Sequence, residues 1–285
     1  MFKPPRLLLH IGMHKTGTTS LQRFFVRNRL ILSLMGIDYP KAFDASGKKL
    51  PKHNDLFLAI SHEKDFGTPD PILGSSAERV DRLARRIETK RITVLSAEGF
   101  SGESPAFAEA FAPLRGRFDI KVICFLRRQD DWVQTFYKQM VQSRQVLESR
   151  SFQAFREAGS TKLHLDYLQI LEWWAKALGE QAIRVEIYRP ETQVLPIFLD
   201  AGGLPKSLRW LPHSKTIQNR SLTSGYIERI REANAAGAPC PLPSISDEDV
   251  PYFTDEDRLR FMAAFEADNE QIRARFRPDL KRLFD

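Results

Sequence analysis

The most informative part of the chain is residues 7–22, LLLHIGMHKTGTTSLQ. It begins with an apolar run of strand length, and Gly12 and Gly17 separate that run from residues that suit the start of a helix. Glycine lets the backbone curl, so that successive N–H groups and the helix N-terminus point at one anion. Lys15 adds a positive charge. Hydroxyl donors follow at Thr18, Thr19 and Ser20. The pattern predicts a phosphate-binding loop between a strand and a helix.

Apolar runs of the same length recur along the chain, at residues 7–11, 92–95, 120–126 and 183–187. Segments with helical periodicity separate them. One begins at Ser75, which forms a capping box with Glu78. Its apolar positions are Val80, Leu83, Ala84 and Ile87. Short buried strands that alternate with amphipathic helices predict a P-loop-type, three-layer α/β fold, with a central parallel sheet flanked by helices.

The C-terminal third has no further clear strands. The pattern predicts a helix over residues 223–235 and an irregular strap that contains four prolines between residues 239 and 251. A last helix is predicted over 255–276, with Leu259 on its apolar stripe and Asn269 as a hydrogen-bonded structural amide. Because no linker rich in glycine and serine interrupts the chain, we expect residues 1–285 to form a single domain.

Composition narrows the function classes. The chain has 285 residues, 42% of them hydrophobic, which excludes a disordered protein. The 43 Lys and Arg residues exceed the 36 Asp and Glu residues by 7, which favours anionic partners without a basic tail that would indicate nucleic acid. Two cysteines cannot form a disulfide framework, and no run approaches the roughly 18 apolar residues of a membrane span. These features predict a cytoplasmic protein and are silent on its oligomeric state.

The loop differs from that of nucleoside triphosphatases. Gly12 and Gly17 have the triphosphatase spacing, but Thr18 stands where that motif requires lysine. A magnesium site would also need an acidic residue at the end of a neighbouring strand, and the strand at 120–126 ends in Arg127 and Arg128 instead. No metal site is therefore expected. Sulfuryl transfer suits such a loop, because hydrogen-bond donors and one lysine can stabilise the charge on a leaving phosphate.

Residues 15–21, KTGTTSL, resemble the 5′-phosphosulfate loop of sulfotransferases that use 3′-phosphoadenosine-5′-phosphosulfate (PAPS). The match is closest to the carbohydrate enzymes of the heparan-sulfate and bacterial types. The resemblance implies an enzyme that moves a sulfuryl group from PAPS to a hydroxyl or amine of an acceptor and that releases adenosine 3′,5′-bisphosphate. Because the match is closest to the carbohydrate enzymes, the implied acceptor is a carbohydrate. The implied contacts to the 5′ end come from Gly12, His14, Lys15, Thr16, Gly17, Thr18, Thr19 and Ser20.

A second motif of the family follows a later strand. There an arginine and, eight positions on, a serine hold the 3′-phosphate of PAPS. Residues 125–137, FLRRQDDWVQTFY, offer Arg127 and Thr135 at these positions, with threonine in place of serine. Gln129 stands where the family often has proline. Arg128 is the alternative to Arg127, because adjacent residues at a strand end point in opposite directions.

Two residues are candidates for the base that takes the proton of the acceptor. Glu98 follows the strand at 92–95, at the sheet edge where open α/β folds bind ligands. Related carbohydrate sulfotransferases use a glutamate for this task. His53, in the polar stretch 51–55, would also be chemically competent. The structural alternatives are a salt-bridged or helix-capping carboxylate and a solvated histidine.

Two other functions stay open at this point. The first is a nucleotide or small-molecule kinase on the same P-loop fold, which would require magnesium and ATP. The second is a non-catalytic nucleotide-binding protein that would bind PAPS without transferring its sulfuryl group. The displaced lysine of the loop disfavours the kinase.

Overall fold

The computed structural model describes residues 4–13, 15–43, 47–102, 104–213 and 222–284, in which strands and helices alternate. The strands are β1 (Arg6–His10), β2 (Ile37–Asp38), β3 (Ala42–Phe43), β4 (Lys49–Leu50), β5 (Ile92–Ser96), β6 (Asp119–Arg127) and β7 (Ile183–Tyr188). The helices are α1 (Thr18–Arg27), α2 (Arg29–Leu34), α3 (Asn54–Phe66), α4 (Ser76–Glu88), α5 (Ala106–Glu109), α6 (Gln129–Gln142), α7 (Phe152–Glu157), α8 (Gly159–Leu165), α9 (Tyr167–Leu178), α10 (Val194–Ala201), α11 (Ser224–Ala236), α12 (Asp255–Ala263) and α13 (Glu266–Phe276).

The described strands form a parallel sheet in the order β2-β5-β1-β6-β7, and β3 and β4 pair separately as an antiparallel hairpin. The four apolar runs are β1, β5, β6 and β7, so the predicted parallel sheet is confirmed. The edge strand β2 was not predicted. It pairs with β5 through only two residues, Ile37 and Asp38, which is too short for a periodic signal.

Both faces of the sheet are covered. Leu7 and Leu9 of β1 lie in the larger hydrophobic cluster, and Leu8 between them lies in the smaller one, because successive side chains of a strand point to opposite faces. Helices α1, α2 and α10 cover the smaller cluster. Helices α3, α4, α6, α9, α11 and α13 contribute to the larger one. The three-layer fold follows from these two clusters, and it explains why the strands are apolar on both faces.

Local signals in the sequence agree with the helix starts. Ser75 caps α4, since its hydroxyl accepts a hydrogen bond from the N–H of Ala77 at 3.2 Å. The four predicted apolar positions of that helix are buried. Thr223 caps α11 in the same way through the N–H of Tyr226. Residues 238–253, which include the prolines, have no regular structure, as predicted.

The predicted last helix is wrong in its continuity. It is divided into α12 and α13, and Phe265 at the break has φ −109° and ψ 0°. The break lets Arg258 of α12 pair with Asp130 at 2.6 Å, while α13 packs on α9. Leu259 is 69% exposed, so it does not belong to a buried stripe. Asn269 is a paired amide as predicted, because it exchanges hydrogen bonds with the buried Gln129 at 2.7 and 3.3 Å.

The cysteines and the helix lengths agree with the composition. Cys124 in β6 is a buried thiol, and burial raises its pKa to about 12. Cys240 is an exposed thiol, and neither is in a disulfide. Within the described ranges, every helix is too short or too polar to cross a membrane.

Candidate active site

The chain changes direction across the sheet at the carboxyl ends of β1 and β6. After β1 it moves toward β2 and β5, and after β6 it moves toward β7 on the other side. The two connections leave in opposite directions and open a crevice, which is where open α/β sheets bind ligands. The loop that contains Lys15 follows β1, and Arg127 is the last residue of β6. The two predicted phosphate-binding motifs therefore meet at one edge of the sheet.

The loop after β1 is curled by two left-handed residues. Lys15 has φ 64°, and Gly17 has φ 75° and forms the N-cap of α1. Between them, the Thr16 hydroxyl donates a hydrogen bond of 2.7 Å to the carbonyl of Met13, which closes the loop on itself. Gly12 is required by space, since a Cβ there would lie 2.6 Å from Nε2 of His10. The backbone thus forms a tight turn in front of the N-terminus of α1.

The hydroxyl groups of the loop divide into buried and exposed pairs. Thr16 and Thr18 are buried, whereas Thr19 and Ser20 are exposed. The Ser20 hydroxyl donates to the carbonyl of Gly17 at 2.7 Å. His14, the remaining predicted contact, lies outside the described residues.

Lys15 is half-buried among charged neighbours. Burial lowers the pKa of its ammonium group below the ordinary lysine value. The Glu98 carboxylate opposes this effect, and the Arg127 guanidinium adds to it. Three of the predicted site residues, Lys15, Glu98 and Arg127, are therefore close enough to act on one another electrostatically.

Arg127 faces the loop, and Arg128 does not. Nη1 of Arg127 donates to the carbonyl of Lys15 at 3.4 Å, and its guanidinium lies 5.7 Å from the ring centre of Tyr188. Its Nε is buried and has no acceptor within the described part of the chain. Arg128 instead pairs through its Nε with Asp130 at 3.2 Å. A buried donor without an acceptor is costly, so an anion beside Arg127 would complete its hydrogen bonding.

Thr135 lies in the second turn of α6, the helix that begins just after Arg128. It is partly exposed, and its hydroxyl donates to the carbonyl of Asp131 at 2.8 Å. That bond uses the hydroxyl proton and leaves the oxygen lone pairs. To donate to a phosphate, the hydroxyl must rotate away from Asp131.

Glu98 lies beside the loop, in the short turn Glu98–Ser101 that follows β5. The Thr18 hydroxyl donates to its Oε1, and the Lys52 ammonium is 3.9 Å from its Oε2. The Glu98 side chain is 16% exposed. Sequence reasoning missed Lys52, because a single lysine in a polar loop carries no signal of its own. Within the described residues, no three His, Cys, Asp or Glu side chains are grouped to hold a metal ion.

His53 has a structural environment. Its Nδ1 accepts a hydrogen bond from the N–H of Ser96 at 3.0 Å, and its Nε2 donates to the carbonyl of Pro40 at 3.0 Å. Burial lowers the pKa of His53 to about 4, so the ring is neutral at neutral pH. Both ring nitrogens are thus engaged with backbone groups, so a proton could reach Nδ1 only after its hydrogen bond to Ser96 breaks.

Comparisons with known proteins concern the fold. No family model matches the chain. An uncharacterised protein of Archaeoglobus fulgidus is 29% identical over 173 residues, which are 53% of this chain and 44% of that protein, so the match spans less than half of the relative. A mouse sulfotransferase, SULT7A1 in complex with PAP, is 13% identical over 95% of this chain and 87% of its own, with a TM-score of 0.45. The sulfotransferase from Alicyclobacillus acidocaldarius is 14% identical over 96% of each chain, with a TM-score of 0.52. The chain therefore has the three-layer α/β fold of that bacterial sulfotransferase.

Proposed function

We propose that this chain is a PAPS-dependent sulfotransferase. The observation that carries the proposal is the contact between Arg127 and Lys15, which joins the two predicted anion-binding elements at the carboxyl ends of β1 and β6. The buried Nε of Arg127, which lacks an acceptor in the described residues, supports an anion at the second element. PAPS carries two anionic groups, a 5′-phosphosulfate and a 3′-phosphate, and so suits a paired site.

The loop residues are assigned to the 5′ end. Backbone N–H groups around Gly12 and Gly17, with the Lys15 ammonium, would hold the phosphosulfate, and Arg127 and Thr135 would hold the 3′-phosphate. The remaining loop contacts are proposed for Thr16, Thr18, Thr19 and Ser20. PAPS supplies the activated sulfuryl group. Lys15 would stabilise the negative charge that develops on the phosphate as it leaves.

Glu98 is assigned as the base. The acceptor hydroxyl or amine loses its proton to the Glu98 carboxylate as its oxygen or nitrogen forms a bond to sulfur, and the bond between sulfur and the bridging phosphate oxygen breaks. The products are the sulfated acceptor and adenosine 3′,5′-bisphosphate. Glu98 is favoured over His53 because it lies against the loop through Thr18.

The acceptor class rests on the resemblance, whereas the expectations of no metal ion and of one domain rest on the residues of the chain itself. We propose that the acceptor is a carbohydrate, that the reaction requires no metal ion, and that residues 1–285 form one sulfotransferase domain. The single domain is supported by the core, because Ile227 of α11 and Ile272 of α13 pack in the same hydrophobic cluster as the strands. The cytoplasmic location stays a prediction.

A thermal-shift panel tests the reaction class. PAPS and adenosine 3′,5′-bisphosphate should stabilise the protein without magnesium, by about 2.7 kcal/mol at a ligand concentration of 100 Kd. Arg127→Ala should reduce the shift, whereas Arg144→Ala, at an exposed arginine outside the site, should not. A larger shift with ATP and magnesium would identify a kinase. Binding of PAPS without sulfation of any glycan in a panel, together with an inert Glu98→Gln, would identify a binding protein.

A further inference from the structure

The Thr18 hydroxyl is hydrogen-bonded to the Glu98 carboxylate. Thr18 is the first residue of α1 and is buried in the loop, and its hydroxyl donates to Oε1 of Glu98. Lys52 lies 3.9 Å from the other carboxylate oxygen. Glu98 is also close enough to raise the pKa of Lys15 against the effect of burial. The carboxylate therefore takes the hydroxyl proton of Thr18 and lies near enough to Lys15 to act on its charge, and an incoming anion would need both of these groups.

We infer that Glu98 competes with the 5′ anion of the donor for the loop, and that donor binding releases Glu98 from Thr18 to act as the base. This inference rests on the proposed function and extends it to the order of binding. A hydroxyl has one proton, so Thr18 cannot donate to the carboxylate and to a phosphosulfate oxygen together. Two anions in a partly buried site also repel each other.

The backbone around Glu98 confines this exchange to the side chain. The N–H of Ala97 donates to the carbonyl of His10 at 3.1 Å, and the Ser101 hydroxyl donates to the carbonyl of Glu98 at 2.7 Å. The turn is packed as well, since a Cβ on Gly99 would lie 2.5 Å from the ring of Phe57. The carboxylate can therefore leave Thr18 by rotation of its own torsions without movement of the turn.

The exchange gives the donor a role before chemistry. While Thr18 donates to it, the Glu98 carboxylate is a weaker acceptor for the proton of the substrate, because a hydrogen bond to a carboxylate lowers its basicity. With donor in the loop, the Thr18 proton turns to the anion and the carboxylate is released. The acceptor is thus activated only after the donor is in place.

Calorimetric titration with adenosine 3′,5′-bisphosphate tests the competition. Glu98→Gln replaces the carboxylate with a neutral amide of similar shape. The variant should therefore bind the bisphosphate at least about tenfold more tightly than the unaltered protein does. Glu109→Gln makes the same charge change at an exposed glutamate outside the site and should leave the affinity unchanged. Adenosine 3′-monophosphate has no 5′ anion and should bind all three proteins equally.

The outcomes separate this inference from the proposed function. Binding of the bisphosphate with equal affinity to Glu98→Gln and the unaltered protein, or weaker binding to the variant, would overturn the competition and leave the sulfotransferase in place. Absence of binding to both proteins, with unchanged thermal unfolding, would overturn the proposed function and the competition together. A crystal structure of the unaltered protein with the bisphosphate should show Thr18 bonded to a phosphate oxygen and no longer to Glu98.

Discussion

The N–H of Ser96 donates a hydrogen bond of 3.0 Å to Nδ1 of His53, and the N–H of His53 returns one of 2.9 Å to the carbonyl of Ser96. This exchange ties the segment before α3 to the end of β5. Lys52 precedes His53, and Glu98 follows Ser96 by two residues. The histidine thereby holds the backbone segments that carry Lys52 and Glu98 next to each other.

Acidification should destabilise the protein between pH 6.5 and 4. Burial lowers the pKa of both His53 and His10 to about 4, so over this range the unfolded chain binds protons that the folded chain does not. Stability therefore rises with pH in this window and is lost as the pH falls. Each histidine accounts for a loss of up to about 3 kcal/mol in the free energy of unfolding. Urea denaturation at a series of pH values measures the slope.

His53→Asn should remove about half of that slope, because His10 keeps its own contribution. The variant should also be less stable at neutral pH by about 1–3 kcal/mol, since the carbonyl of Pro40 loses its donor. A variant with the full slope of the unaltered protein would show that His53 is not one of the groups that titrate.

Gly17→Ala should weaken anion binding. Gly17 has φ 75°, and a Cβ there would lie 2.6 Å from a methyl group of Val194, so the loop must move. A strained backbone residue costs about 1–3 kcal/mol, so we expect a stability loss of that size. Because the loop is displaced, the binding of adenosine 3′,5′-bisphosphate should be at least tenfold weaker. Gly116→Ala is the matched control, because Gly116 also has positive φ but has open space around it. It should lose stability alone. Equal loss of binding in both variants would contradict the crowding at Gly17.

Alkaline pH should weaken the binding of adenosine 3′,5′-bisphosphate. Burial lowers the pKa of Lys15, so its ammonium loses its proton at a lower pH than an ordinary lysine, and the neutral amine no longer attracts the anion. Phosphate groups are already ionised above pH 7, so they add no dependence of their own. Calorimetry between pH 7 and 10 should show this fall.

Lys15→Met should bind the bisphosphate more weakly at pH 7 and should lack the fall at higher pH. Lys176→Met, at an exposed lysine of α9, should behave like the unaltered protein. A Lys15→Met protein with the same pH dependence would assign the titration to another group.

Asn269→Leu should destabilise the protein by about 1–3 kcal/mol, because the buried amide of Gln129 loses both of its hydrogen bonds. Chemical denaturation measures the loss. Adding Gln129→Leu should recover part of it, since two apolar groups leave no unpaired donor. A stability loss in the double variant that exceeds the summed losses of the two single variants would contradict this account.

The sheet and the turn between β1 and α1 can be predicted from local patterns. The four long strands are apolar on both faces, and Gly12 and Gly17 mark the turn between β1 and α1, so adjacent residues carry the signal. The break at Phe265 was not readable, because helical periodicity continues across it without glycine or proline. It depends on contacts with α6 and α9, which lie far away in the chain.

The site was readable only in part for the same reason. The strand-end rule places Glu98, Arg127 and Arg128 at one edge of the sheet, because the carboxyl ends of parallel strands share that edge, and the preference for Arg127 over Arg128 comes from the family resemblance. The structural environment of His53 was hidden, since it depends on Pro40 and Ser96 in other segments. Tyr188 beneath Arg127 ends β7, so the same strand-end rule could have found it.

Because Arg127 and Arg128 point in opposite directions, substitutions at these adjacent positions should affect different properties of the protein. Arg128 and Arg258 both pair with the fully buried Asp130, so the loss of Arg128 removes one of two counter-ions of that carboxylate and lowers the amount of folded protein in a cell. Arg127 faces the crevice, so its loss spares abundance and removes affinity for nucleotide. In a deep mutational scan that scores expression and ligand capture separately, substitutions of Arg128 should lower expression, and substitutions of Arg127 should lower ligand capture.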